Sequence, residues 1–454
     1  MQIINPATEE VITTLQEDSS LTLQTKFEAL QKAQPQWANK PLNERISVIA
    51  RFSDLLADKV AELASVLTSE VGKPLQQSRN EINGARARIK WMLDHAGKYL
   101  SDEVMVDEPG LKEIIRYEPL GIVCNISAWN YPYLVGVNVF VPALLGGNAV
   151  MYKPSEYATL TGLQIEKLLK QAGVPDHVFQ VAIGAKETGE ALLDMNFNGY
   201  FFTGSYQTGK YIYEKVAPKM VPCQLELGGK DPLYIAEDVA DVAAAAIGTA
   251  DGAFYNNGQS CCSVERIYVH EKNYEPYLAA FIDEVKSWKS GLPTTDGVYI
   301  AALTRKAQIA ILENQIKDAL NKGAKLVTGG KAPHGKGYYF EPTVLTEVTN
   351  DMLVMQEESF GPIIGIMKVK DDAEALKMMQ DTDYGLTASV YTADQSRAEK
   401  ILGQLDAGSG YWNCCDRVSA ALPWSGRKYS GIGATLSHQG LRAFTKPKGY
   451  HLRG

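Results

Sequence analysis

The chain has 454 residues, of which 45% are hydrophobic and 22% are charged, and its formal net charge is −8 at pH 7. Such a composition is typical of a globular protein with a sizeable core, and the length predicts about three domains, although interleaved α/β domains blur that count. The negative charge and the lack of a dense basic run exclude an ordinary nucleic-acid-binding protein.

Alternating helix and strand patterns predict an α/β fold without internal repeats. The predicted helices cover residues 21–33, 47–68, 76–100, 160–171, 273–288 and 305–322. The predicted buried strands of parallel sheets cover residues 122–126, 149–152, 200–202, 267–270 and 363–369. Gly173 is placed to end the helix that precedes it. Because the pattern repeats after Glu226, we expect two α/β lobes.

Residues 104–117 differ from this pattern, because two apolar runs flank Pro109-Gly110 and predict a β-hairpin. Residues 129–152 contain no charged side chain and are long enough in principle to cross a bilayer. Their asparagines, prolines and the Gly146-Gly147 pair instead predict a buried turn, helix and strand. We therefore expect no membrane partner.

Cysteine usage indicates a reducing compartment. The six cysteines include the adjacent pairs Cys261-Cys262 and Cys414-Cys415, and none has the spacing of a zinc site. The start of the chain lacks a charged region followed by an apolar one, which argues against a secretory signal. We expect a cytoplasmic protein without a metal.

Cys261 and Glu226 are the candidate catalytic pair. Cys261 lies in Gly-Gln-Ser-Cys-Cys-Ser, and Glu226 opens Glu-Leu-Gly-Gly-Lys. A thiol attacks only as its thiolate, and a nearby carboxylate can act as the base for the thiol or for a later water. The pair alone carries little weight, because free cysteines are more often inert buried residues.

Six segments together change that interpretation. They are residues 128–132, 153–156, 202–205, 226–230, 258–263 and 357–362, and in this order they resemble the NAD(P)-dependent, non-acylating aldehyde dehydrogenase superfamily. The resemblance extends from Asn5 to Pro447. It implies two interleaved Rossmann-like α/β lobes, one for the cofactor and one for catalysis, plus a small β oligomerisation element.

The resemblance also implies domain boundaries. The NAD-binding domain would comprise residues 1–102 and 118–225 with part of 420–435, and the catalytic domain residues 226–419. Residues 103–117 and 436–454 would form the oligomerisation element of a homodimer or homotetramer. A simple surface hairpin is the alternative for the first of these two segments.

Three residues match the catalytic residues of the family. Cys261 would attack the aldehyde, Asn130 with the Cys261 backbone N–H would stabilise the oxyanion, and Glu226 would activate water against the thioester. The alternatives are a turn residue before Tyr131-Pro132 for Asn130 and an element-end carboxylate for Glu226.

The resemblance places the cofactor against a larger set of residues: Trp129, Lys153, Ser155, Glu156, Gly204, Ser205, Gly209, Glu358 and Phe360. A carboxylate at Glu156 accepts hydrogen bonds from ribose hydroxyls but repels a 2′-phosphate, so NAD is favoured over NADP. Some of these residues also have an explanation that involves no cofactor. Lys153 and Glu156 could be solvated charges, Glu358 an exposed charge and Phe360 a core residue.

The substrate is a small-molecule aldehyde that the sequence does not identify. Tyr133, Leu134, the neighbours of Cys261 and residues 412–417 are expected to line the substrate tunnel. Arg417 suggests a semialdehyde such as succinate semialdehyde, and a surface arginine paired with Asp416 or solvent is the alternative. Two rival functions are a coenzyme A-acylating dehydrogenase, which typically lacks the Glu226-type base, and a non-catalytic structural relative.

Overall fold

The structure is a computed structural model that describes all 454 residues. Its helices are α1 Ser20–Ala38, α2 Leu42–Asp58, α3 Val60–Val71, α4 Leu75–Tyr99, α5 Pro132–Leu145, α6 Thr159–Ala172, α7 Lys186–Asp194, α8 Tyr206–Val216, α9 Val242–Phe254, α10 Tyr274–Ser287, α11 Ala307–Asn321, α12 Leu353–Gln356, α13 Asp372–Gln380, α14 Gln395–Leu402 and α15 Ser437–Arg442. Short 3-10 turns cover Ala217–Lys219 and Tyr255–Gly258.

The strands form three larger sheets and several two-stranded pairs. They are β1 Gln2–Ile4, β2 Val11–Thr14, β3 Glu103–Glu108, β4 Leu111–Pro119, β5 Ile122–Ile126, β6 Ala149–Lys153, β7 Phe179–Val181, β8 Gly199–Thr203, β9 Cys223–Glu226, β10 Asp231–Ile235, β11 Val264–His270, β12 Lys289–Ser290, β13 Val298–Ile300, β14 Lys325–Thr328, β15 Thr343–Thr346, β16 Ile363–Val369, β17 Tyr384–Gly385, β18 Thr387–Tyr391, β19 Ser409–Trp412, β20 Arg427–Lys428, β21 Gly431–Ile432 and β22 Thr445–Arg453.

The first large sheet has the order β21-β9-β8-β5-β6-β7, and all its strands are parallel except β21. Successive side chains of a strand point to opposite faces. In β6, Val150 and Tyr152 therefore enter one apolar core while Ala149 and Met151 enter another. Cores on both faces explain why these strands are apolar throughout.

The second large sheet has the order β14-β15-β16-β11-β10-β18-β19 and is parallel except for the β14–β15 pair. It too is covered on both faces, since Ile267 and Val269 enter one core and Tyr268 the other. The structure thus confirms an α/β fold with two lobes.

The third sheet is small and shares no strand with the other two. The predicted hairpin is present as β3 and β4, with Gly110 in the left-handed region at φ 80°. β22 pairs with β4 from Thr445 to Arg453, so the C-terminal segment completes a three-stranded antiparallel sheet. Its part in oligomerisation and the domain boundaries given above stay predictions.

Most predicted elements are found where the patterns placed them. The strands over residues 122–126 and 363–369 agree to the residue, and Gly173 ends α6 at φ 102°. The single helix predicted over residues 47–68 is wrong, because α2 and α3 break at Lys59. The apolar spacing continues across the break, so both helices bury the same side of the chain and the pattern does not reveal the kink.

Residues 129–152 form the buried turn, helix and strand that were predicted, as the segment before α5, α5 itself and β6. No helix of the structure combines the length and the apolar character that a membrane crossing requires.

Candidate active site

A cleft of about 750 Å³ opens where the carboxyl ends of the strands of the first sheet meet the second lobe. β5 pairs with β6 on one side and with β8 on the other, so the chain order reverses there. Such a switch point is where open parallel sheets bind ligands.

Eleven of the predicted site residues line this cleft: Trp129, Asn130, Lys153, Ser155, Glu156, Gly204, Ser205, Glu226, Cys261, Glu358 and Phe360. The remaining one, Gly209, lies inside α8, where an added Cβ would stand 2.5 Å from Cδ2 of Leu227. Gly209 therefore allows close packing of α8 beneath the cleft and does not line it.

The turn before Cys261 has an unusual backbone. Asn256 and Asn257 have φ values of 53° and 57°, a left-handed conformation that asparagine tolerates better than most residues. Gly258 follows at φ 68°, and a Cβ there would stand 2.4 Å from the carbonyl oxygen of Gly361. Only glycine fits this approach of the turn to the segment that carries Glu358 and Phe360. The half-buried Cys261 follows the turn and lines the same cleft as these two residues.

Asn130 is held on both sides. Its side-chain Nδ2 donates to the Gln259 carbonyl over 3.2 Å. The backbone carbonyl of Asn130 accepts hydrogen bonds from Lys73 Nζ at 2.5 Å and from Asn256 Nδ2 at 3.3 Å. Lys73 is fully buried and paired with Glu81. These contacts place the Asn130 amide beside the segment that carries Cys261, although the sequence offered no signal for Lys73 or Glu81.

Glu226 ends β9 inside the cleft. Its Oε1 accepts from the Thr435 hydroxyl at 3.1 Å, whereas its buried Oε2 has no hydrogen-bond partner. Burial raises the pKa of Glu226 to about 8. A buried carboxylate with one free oxygen and a pKa near neutrality has the properties of a general base.

A buried ion pair holds the segment with Glu358 and Phe360. Glu265 accepts from the backbone N–H groups of Ser359 and Phe360 at 2.8 and 3.0 Å. Lys230 pairs with Glu265 and also donates to the Ser359 hydroxyl at 3.0 Å. The sequence analysis gave neither charged residue a role, although Lys230 ends the Glu226 motif and Glu265 follows the Cys261 motif by two residues.

We expect Lys230→Met to lower the free energy of unfolding by about 3–5 kcal/mol, because it leaves the buried Glu265 carboxylate without its cation. Lys272→Met is the matched control. It removes an exposed pair with Glu237 and should cost less than about 1 kcal/mol. Denaturant unfolding measures both values, and equal small losses would contradict the structural role given to the Lys230–Glu265 pair.

The other end of the cleft offers donors for a phosphate. α8 starts directly after Gly204 and Ser205, and the Ser205 hydroxyl caps the helix by accepting from the Thr208 N–H. Both residues and Thr208 line the cleft. The free N–H groups at the start of such a helix, with its dipole, attract phosphate.

The last residue of β6 and the residues that follow it complete that end of the cleft. Lys153 Nζ contacts the Pro154 carbonyl at 3.3 Å, and the Ser155 hydroxyl donates to Glu156 at 3.1 Å. Toward Cys261, the rings of Trp129 and Phe360 lie edge to face, with centroids 5.4 Å apart. Helix N-terminus, carboxylate and aromatic wall fit a nicotinamide dinucleotide.

Of the segment 412–417, residues 413–417 line a different cavity of about 330 Å³, together with Asp241 and Asp251. The segment contacts the catalytic segment through one hydrogen bond, from Cys262 Sγ to Asp416 Oδ1 at 2.9 Å. Arg417 is exposed at this cavity and forms no ion pair. This agrees with the alternative of a surface arginine in solvent, and a pair with Asp416 is not formed. All six cysteines are free thiols.

Comparisons with known proteins agree with the geometry. The model of the aldehyde dehydrogenase family matches residues 1–449. A betaine aldehyde dehydrogenase of Brucella anthropi is 33% identical over 448 residues, covering 96% of this chain and 91% of that protein. A succinate-semialdehyde dehydrogenase [NADP(+)] of Deinococcus radiodurans is 30% identical over 446 residues, covering 98% and 93%. The crystal structure of an NADP-dependent enzyme of E. coli superposes with a TM-score of 0.96 at 29% identity, covering 100% of this chain and 94% of that one.

Proposed function

Because this chain belongs to the aldehyde dehydrogenase family, we propose that it oxidises an aldehyde to the carboxylic acid with NAD, using Cys261, Asn130 and Glu226. The observation that carries the proposal is that these three residues line one cleft although they come from three distant segments. A non-catalytic relative has no chemical reason to keep that arrangement.

The proposed reaction starts at Cys261. Its thiol loses a proton and the sulfur bonds to the aldehyde carbon, which places negative charge on the former carbonyl oxygen. The Asn130 amide and the Cys261 backbone N–H donate hydrogen bonds to that oxygen. A nicotinamide cofactor supplies hydride acceptance, a chemistry that no side chain provides.

Loss of hydride from the tetrahedral carbon leaves Cys261 acylated as a thioester. Glu226 then takes a proton from water, the hydroxide bonds to the acyl carbon, and the carbon–sulfur bond breaks to return the thiol. The balance is one aldehyde, one water and one oxidised cofactor giving one acid, one reduced cofactor and one proton.

We expect Asn130→Ala to lower kcat by about 10²–10³-fold, because one donor to the oxyanion is lost. The Michaelis constant for the cofactor should change little. Steady-state kinetics with varied cofactor and varied aldehyde separate the two effects. A variant that loses cofactor affinity but keeps kcat would assign Asn130 to cofactor binding instead.

NAD is the proposed cofactor because Glu156 lies in the cleft beside Ser155, at the end that the family uses for the adenosine ribose. The family relatives include proteins named for NADP, so the carboxylate has to be tested directly.

We expect Glu156→Gln to raise kcat/KM with NADP relative to NAD by about tenfold, because it removes a charge that repels the 2′-phosphate. Glu187→Gln is the control, since Glu187 is an exposed acid of α7 outside the cleft. An unchanged ratio in Glu156→Gln would remove the basis for proposing NAD over NADP.

The test of the function is cofactor reduction by the purified protein against neutral, amino- and carboxy-aldehydes, with NAD and with NADP, and without coenzyme A. Turnover supports the proposal. Turnover only after coenzyme A is added would favour the acylating alternative. No turnover either with or without coenzyme A would favour a structural role.

We propose a semialdehyde as the substrate class, and the name of the Deinococcus relative is consistent with it. We also propose that β22 and the β3–β4 hairpin bridge subunits of a homo-oligomer, since they form a sheet of their own that joins neither large sheet.

A further inference from the structure

Arg88 is a positively charged residue that lies near the proposed nucleophile Cys261 and has no acidic partner. It lies on α4, is half-buried and forms no ion pair. Its Nη1 donates to the Leu134 carbonyl and to Asn138 Oδ1, each over 3.1 Å. Its Nε and Nη2 have no partner in the protein. Neither nitrogen is among the buried polar atoms that lack a partner, so both are accessible and free to bind a ligand.

The two unused nitrogens lie along one edge of the guanidinium, which binds a carboxylate through two parallel hydrogen bonds. This chain uses that edge for carboxylates elsewhere. Arg116 donates to Asp102 from Nε and Nη2, and Arg397 does the same to Asp372. In Arg88 the corresponding edge is the part left free.

The position of Arg88 relates it to catalysis. Its partners Leu134 and Asn138 lie on α5, which begins two residues after Asn130. Leu134 packs in the same apolar cluster as Cys261 and Cys262. Arg88 does not line the cofactor cleft. It therefore approaches the Cys261 segment from outside that cleft.

Electrostatic effects agree with this placement. Burial lowers the pKa of Arg88, while the nearby Cys262, Cys261, Glu81 and Asp416 act in the opposite direction. Three acids lie near it. Asp416 accepts from Cys262 and Glu81 pairs with Lys73. Glu226, whose pKa burial raises and the charge of Arg88 lowers, has a free Oε2 but forms no ion pair with Arg88.

Hydride transfer sets the orientation of the substrate. The hydrogen of the aldehyde carbon has to face the cofactor cleft, so the rest of the molecule extends away from it. A substituent that points away from the cleft would extend toward Arg88, which is hydrogen-bonded to α5 just after Asn130. Arg88 lies close enough to Cys261, Cys262 and Glu226 to interact with them electrostatically.

We propose that Arg88 binds a carboxylate at the far end of the substrate and thereby makes the enzyme selective for carboxy-aldehydes. The inference rests on the proposed aldehyde oxidation and assigns its specificity to Arg88 rather than to Arg417, which is exposed at another cavity. Arg88 touches the substrate only at the end remote from the reacting carbon, so it determines specificity without taking part in bond making.

The experiment compares succinate semialdehyde with butanal, a neutral aldehyde of equal carbon number, in wild type, Arg88→Met, Arg88→Lys and Arg417→Met. We expect wild type to prefer the semialdehyde. Arg88→Met should lower kcat/KM for it by about 100-fold or more, mainly through KM, and leave butanal within about threefold. Arg88→Lys should recover part of the loss, because it keeps the charge but not the planar edge. Arg417→Met should leave the preference unchanged.

A second measurement needs no variant. Succinate should inhibit wild type at a concentration at least about tenfold lower than butyrate, because only succinate has a carboxylate for Arg88 in addition to the one formed by the reaction. This keeps the inference testable if Arg88→Met does not fold.

Several results would overturn the inference. Equal losses for both aldehydes in Arg88→Met would make Arg88 a structural support for α5, and a changed preference in Arg417→Met would transfer the role to that residue. The inference would also be overturned if wild type preferred butanal, or if succinate and butyrate inhibited it equally. Either result would leave aldehyde oxidation intact. Failure to oxidise any aldehyde would instead overturn the proposed function, and the inference with it.

Discussion

Cys261→Ala is expected to abolish cofactor reduction by aldehydes, with a loss in kcat of at least about 10⁴-fold, because no other group can form the covalent intermediate. The fold should persist, since Cys261 is half-buried and forms no disulfide. Aldehyde-dependent cofactor reduction measures the loss, and cofactor binding by fluorescence checks that the cleft is intact.

Cys223→Ser is the control for this experiment. Cys223 is also a half-buried free thiol, but it lies at the start of β9 and outside the cleft. Its replacement should retain activity. If Cys261→Ala kept more than about one hundredth of the wild-type rate, covalent catalysis by Cys261 would be refuted.

Glu226→Gln is expected to separate the two halves of the reaction. The thioester still forms, so one equivalent of reduced cofactor should appear in a burst, after which turnover should fall by about 10²–10⁴-fold for lack of a base. Rapid mixing measures the burst and the slow phase. Hydroxylamine, which needs no base to attack a thioester, should restore turnover.

The same residue predicts a pH dependence. Burial raises the pKa of Glu226 to about 8. Only the ionised carboxylate accepts a proton, so the rate of thioester hydrolysis should rise with pH up to about 8 and then level off. Glu226→Gln should lack that limb. If Glu226→Gln lost the burst as well as turnover, or if its hydrolysis rate still rose with pH up to about 8, Glu226 would not be the hydrolytic base.

Much of the fold followed from local patterns. Strand β5 and strand β16 lie where their apolar runs predicted, and Pro109-Gly110 marks the hairpin turn. Short-range patterns work there because a buried strand or a tight turn restricts the residue types within a few positions. The break at Lys59 was not predictable in this way, since the apolar spacing is the same on both sides of it.

The candidate residues of the site were likewise identified from short motifs with glycine, cysteine and glutamate in a set order. Their environment was not. Lys73 beneath Asn130, Glu265 beneath Phe360 and the free edge of Arg88 belong to segments whose sequences read as ordinary helix or strand. Tertiary packing brings these side chains next to Asn130, to the segment with Phe360 and to α5 from distant parts of the chain. Motif spacing reports only neighbours along the backbone, whereas burial, pairing and pKa depend on neighbours in space.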